Sequence, residues 1–154
     1  MRILSRIASL LALQLVFLPA MGAAQKKLIS PERDLFNATN RERLAHGLPA
    51  LQWNDALAGA ARKHASEMAH KDALSHQFPG EPSLPSRVKQ MGAHFVWLSE
   101  NVALGPNTSL IHAQLVKSPQ HRANMLDTDM NVVGIGIVER NGRLFAVEDF
   151  SKAK

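Results

Sequence analysis

The segment Val132-Val133-Gly134-Ile135-Gly136-Ile137-Val138, followed by Asn141-Gly142 and by Leu144-Phe145-Ala146-Val147-Glu148-Asp149-Phe150, decides the fold. Two apolar, β-prone runs flank the Asn-Gly pair, and both central positions of a two-residue hairpin turn need positive φ, which Asn and Gly tolerate. This predicts a β-hairpin near the end of the chain. Gly134 and Gly136 alternate along the first strand with no helix after them. Their role is to let the sheet approach a neighbouring helix closely, not to cradle a phosphate.

Upstream of the hairpin the pattern is helical. Thr108 to Lys117 reads as a helix that turns His112 toward solvent, preceded by a turn at Gly105-Pro106. His94 to Leu104, rich in Phe, Val, Trp and Leu, reads as an extended stretch, and Ser86 to Met91 as a short helix closed by Gly92. Leu74 to Pro85 has loop composition. Further back, Leu57, Ala61, His64, Ala65 and Met68 recur at helical spacing in an alanine-rich run that begins near Asn54 or Asp55. His64 thus points inward as a satisfied core residue. Ser30 as N-cap with Pro31 behind it starts the earliest helix, which runs to about His46 and stops at Gly47 and Pro49. Helices first, a hairpin last and an extended segment between them predict an α+β domain with a mainly antiparallel sheet.

Residues 1–24 carry Arg2 and Arg6 ahead of an apolar run from Ile7 to Pro19, then the small residues Gly22, Ala23 and Ala24. That is the layout of a signal peptide cleaved after Ala24, and the run is shorter than the roughly 20 apolar residues of a spanning helix. The expected product is exported, periplasmic or extracellular, with no transmembrane segment in the mature chain. Its expected parts are a short N-terminal segment at 25–31, one domain at 32–150 and a tail at 151–154. The 154 residues hold 18 Lys and Arg against 13 Asp and Glu. Basic residues interleave with acids, as in Arg33, Asp34, Arg41, Glu42 and Arg43, so no face is built for nucleic acid. Cysteine is absent, which excludes thiolate nucleophiles, Cys-ligated zinc and disulfide staples.

Several stretches together resemble one family. They are Phe36 to Arg43 with His46 to Asn54, the helix Leu57 to Met68, Leu74-Ser75-His76, Ser99-Glu100-Asn101, Ser118-Pro119-Gln120-His121-Arg122-Ala123-Asn124-Met125-Leu126, and Val133-Gly134-Ile135-Gly136-Ile137. In this order they resemble the CAP superfamily of cysteine-rich secretory proteins, antigen 5 and pathogenesis-related class 1 proteins. The resemblance implies an α-β-α sandwich with a central cleft. Carried over position by position, it implies that His76, Glu100 and His121 share that cleft. Two departures stand out: Ser99 occupies the usual glycine position before the acid, and His112 to Lys117 lacks the second acid that many relatives carry.

Two neutral imidazoles suit a zinc-class divalent metal, with a carboxylate to ligate or orient one of them. His76 and His121 are therefore candidate metal ligands. The same three groups can instead hydrogen-bond across the cleft and fix its loops. The resemblance implies a secreted, non-enzymatic module that binds a small molecule, a lipid-like ligand or an envelope component. A metal-assisted hydrolase with Glu100 as the candidate base is a second reading, and an interaction protein with a vestigial cleft a third. His64, Glu67 and His70 do not make a zinc-protease helix, because those histidines sit six apart and not four. Ser118 ahead of Pro119 reads as a helix cap.

Overall fold

A computed structural model describes residues 30–153. The expected leader at 1–24, most of the segment at 25–31 and Lys154 lie outside the described residues. The elements are α1 (Pro31–Ala45), β1 (Gln52–Trp53), α2 (Asp55–Lys71), α3 (Leu84–Gln90), β2 (Phe95–Gly105), α4 (Thr108–Lys117), α5 (Pro119–Met125), β3 (Val132–Arg140) and β4 (Arg143–Ala153).

The hairpin forms as its turn chemistry requires: Asn141 has φ 53° and Gly142 φ 72°, and Arg140 pairs with Arg143 across them. The four strands run in the order β1-β3-β4-β2, so β2 is an edge strand, antiparallel to β4. The sheet is mixed and not wholly antiparallel, because the two-residue β1 lies parallel to β3. Such a parallel pair needs a long crossover, and here α2, α3, β2, α4 and α5 separate its strands. A second difference concerns the expected tail. β4 continues to Ala153, with Phe95 paired to Ala153 and Ser151 buried, so the sheet extends past the expected boundary at 150.

Strand side chains alternate between faces, and each face of this sheet is covered. One face carries Val133, Ile135, Ala146, Phe150 and Ala103 against Leu35 of α1, Ile111 and Leu115 of α4 and Met125 of α5. The other carries Phe145, Val147 and Val102 against Ala61, Ala65 and Met68 of α2, with Val88 of α3 beside Leu57 and Val132. The α-β-α sandwich follows. A Cβ built at Gly134 falls on the backbone of Leu57 and Ala58, and one at Gly136 on that of Ala61 and Arg62. The two glycines set the spacing between α2 and β3.

Arg43 of α1 is fully buried. Its guanidinium donates to the carbonyls of Pro49 (3.0 Å), Met125 (2.8 Å), Asp127 (2.9 Å) and Met130 (3.2 Å), which fastens the end of α5 and the following loop to α1. His112 departs from its expected solvent-facing position. It is half-buried with Nδ1 enclosed, because α4 packs on α1, and burial lowers its pKa.

Candidate functional site

α2 ends at Asp72, whose φ of 52° turns the chain into the loop that carries His76. That loop is tied down by His64, which is fully buried in α2. Its Nε2 donates to the Ser75 carbonyl at 2.7 Å, and its Nδ1 lies 2.6 Å from Glu81 Oε1. Glu81 Oε2 in turn accepts from Phe78 N at 3.0 Å. The inward histidine is thus a structural residue, as its helical spacing predicts, and it positions the loop beneath His76.

Glu100 and Asn101 are consecutive on β2, so they face opposite layers. On the α3 side, Glu100 Oε1 accepts from His76 Nδ1 at 2.9 Å and Oε2 from Arg87 Nη2. Arg87, 2% exposed, also donates through Nη1 to the His76 carbonyl at 3.0 Å. On the α5 side, Asn101 Nδ2 donates to the His121 carbonyl and to Glu148 Oε2, both at 3.1 Å. Asn124 Nδ2 donates to Asn101 Oδ1 at 2.9 Å, and Thr39 Oγ1 to Glu148 Oε1 at 2.6 Å. Ser118 stands at the N-cap position of α5, although its hydroxyl makes no cap bond, and Pro119 opens the helix.

The edge strand therefore joins two of the three expected residues directly, His76 and Glu100, while His121 stands on the α5 side with its carbonyl on Asn101. His76 stands with 57% of its side chain exposed above the buried Glu100 carboxylate. The hydrogen bond to Glu100 raises the His76 pKa above its ordinary value. His121 moves the other way, lowered first by burial and then by the charge of His76. Each oxygen of Glu100 accepts one hydrogen bond, so the carboxylate is held by Arg87 and orients His76. Beyond Arg87, Lys63, Pro79, Gly80 and Glu81 help to line a pocket of about 320 Å³ that includes neither histidine.

The donor set decides how a metal fits. A catalytic zinc centre takes three protein ligands, and among the described residues no three His, Asp or Glu side chains converge to hold an ion. His76 and His121 supply two imidazoles, and Glu100 is committed elsewhere. These residues do not fit a three-ligand centre.

Sequence reasoning missed Arg87, Glu81, Glu148 and Asp149. The signal for the last two was available: a pair of acids inside an apolar strand. In a sheet covered on both faces, both of those acids must be buried.

The model of the cysteine-rich secretory protein family (CAP) matches residues 36–150, and the chain belongs to that family. YkwD of Bacillus subtilis (strain 168) is 30% identical over 119 residues, covering 76% of this chain and 46% of YkwD. An extracellular, SCP-domain protein of Bacillus anthracis superposes with a TM-score of 0.71 at 26% identity, over 79% of this chain and 40% of that one. An outer surface protein of Borrelia burgdorferi shares the fold with a TM-score of 0.74 at 20% identity, over 80% and 93%. The chain spans less than half the length of the two Bacillus relatives.

Proposed function

We propose that this chain is an exported binding module whose cleft at the β2 edge takes the polar or anionic head of a small or lipid-like ligand or of an envelope component. The observation that carries this reading is the 2.9 Å bond from His76 Nδ1 to Glu100 Oε1 beneath an open imidazole. Held by one nitrogen, His76 keeps Nε2 for a ligand, and its raised pKa favours the cationic form that attracts an anion. His121 adds a second, more neutral imidazole beside it. Export is supported by the arginine-bearing apolar leader and by the extracellular and outer-surface relatives. Among the described residues no helix is long and apolar enough to cross a membrane.

The test incubates the chain without residues 1–24 with radiolabelled fatty acids, phospholipids, sterols and soluble cell-wall fragments. The expected result is saturable, salt-sensitive binding to one class, lost in the His76→Ala and His121→Ala variants at unchanged melting temperature. Absence of saturable binding across the panel overturns the reading.

A further inference from the structure

We infer that Asp149 is a positioning residue of the cleft: as a neutral carboxylic acid it donates a hydrogen bond to Glu100, keeping the Glu100 carboxylate charged and aimed at His76. Glu100 of β2 and Asp149 of β4 are direct register partners, so their side chains project from the same face. Paired residues on one face of an antiparallel ladder have Cβ atoms about 5 Å apart, within reach of a carboxyl–carboxyl contact. Asp149 is 0% exposed, and neither of its oxygens has a conventional hydrogen-bond donor among the described residues.

On β3 the register partner of Asp149 is Gly134, which has no side chain. Leu57 and Ala58 of α2 lie over that glycine and carry no charge. The adjacent Glu148 points to the opposite face, toward Thr39 and Asn101. Among the described residues α3 supplies the buried cation, Arg87, whose Nη2 is already on Glu100 Oε2 and whose Nη1 lies 3.8 Å from Glu81 Oε1. Arg87 Nε is also buried without a partner, so it does not bond Asp149.

Three carboxyls, Glu81, Glu100 and Asp149, thus surround one guanidinium inside the protein. One negative charge is balanced there, and a second, unpaired one is strongly disfavoured. Glu100 has the charged partners, Arg87 and His76. The proton therefore sits on Asp149, and the acceptor that the strand register places opposite it is Glu100. Burial, followed by the Glu100 charge, pushes the Asp149 carboxyl well above its ordinary value. The two carboxyls face each other across the β2–β4 register, so the Asp149 contact fixes how Glu100 is aimed at His76. This inference rests on the Glu100–His76 pair described above, but its test reads side chains and not a ligand. Failure of the binding assay and failure of this proposal are thus separate results.

The experiment follows the Asp149 carboxyl by ¹³C NMR, and His76 by its imidazole proton shifts, in wild type, Asp149→Asn, Asp149→Leu and Glu100→Gln. In wild type the Asp149 carbon is expected to hold its protonated shift from pH 4 to pH 7. Asp149→Asn keeps a neutral donor and leaves the His76 midpoint within about 0.2 of wild type, a small fraction of the 1.36 kcal/mol that one unit represents. Asp149→Leu removes the donor and moves the His76 midpoint toward that of Glu100→Gln. Asp149 titrating at an ordinary aspartate value, or a His76 midpoint in Asp149→Asn as low as in Glu100→Gln, overturns the proposal. If Asp149→Leu does not fold, the carbon titration and the Asn variant decide alone.

Discussion

Although 24 residues apart in the chain, His76 and Glu100 are joined by a 2.9 Å hydrogen bond from the Nδ1 of one to the Oε1 of the other. The carboxylate is buried and the imidazole open, so the bond fixes a ring that solvent still reaches. The acid behind the ring turns a mobile surface histidine into an oriented one, and it also sets the ring's titration.

The two cleft histidines are expected to titrate on opposite sides of 6.5, His76 above and His121 below. NMR titration of residues 25–154 checks this. The sign for stability follows: a folded pKa raised above the unfolded one means that the contribution of His76 is fully present below about 6.5 and disappears as pH rises through the folded value. Glu100→Gln should bring His76 back toward 6.5. A His76 midpoint at or below 6.5 in wild type contradicts the assigned hydrogen bond.

Arg43→Met should destabilise the domain by about 3 kcal/mol or more, because it leaves the carbonyls of Pro49, Met125, Asp127 and Met130 without their donor. Arg43→Lys should recover only part of that, since one ammonium cannot span four acceptors. Urea denaturation followed by circular dichroism gives the numbers. A loss under about 1 kcal/mol for the Met variant means that the knot is not what holds the loop after α5.

Gly134→Ala and Gly136→Ala place a methyl group on the backbone of α2. Overpacking of that kind costs about 1–3 kcal/mol, and the melting temperature should fall accordingly. Gly59→Ala is the contrasting variant: it sits inside α2, and its added Cβ meets only the flexible Met91 side chain at 3.5 Å. It should be neutral or stabilising by up to about 1 kcal/mol, the helix preference of alanine over glycine. Equal losses at all three positions would remove the close approach of α2 to β3 as the explanation.

Zinc titrated calorimetrically at pH 7.5 should show no site tighter than about 1 μM, because the cleft offers two imidazoles and an engaged carboxylate. His70, exposed on α2, gives a control variant whose removal changes nothing in the cleft. Sub-micromolar zinc that vanishes in His76→Ala and His121→Ala, but not in His70→Ala, would restore the metal reading of this site.

How much of this was legible in the chain varies with the range of the interaction. The hairpin was, because Asn141 and Gly142 supply positive φ from their own chemistry. The inward His64 was, because helical periodicity is a local property of α2. The two strand glycines were legible in kind, although nothing local named α2 as the helix they admit.

The rest was decided by tertiary structure, for a physical reason that recurs. A charged residue reads as solvent-facing until the element that covers it is known. Arg43 reads in sequence as one of a run of interleaved charges, and nothing local marks Arg87, Glu148 or Asp149 as buried. Each is buried because a second layer closes over it, and each then takes partners distant in the chain. The order of motifs placed His76, Glu100 and His121 in one cleft by resemblance. By itself, then, the sequence determined the hairpin, the inward face of α2 and the family. The tertiary structure alone decided that the Glu100 carboxylate is divided between Arg87 and His76, because ion pairing inside a protein depends on which charges are left without water.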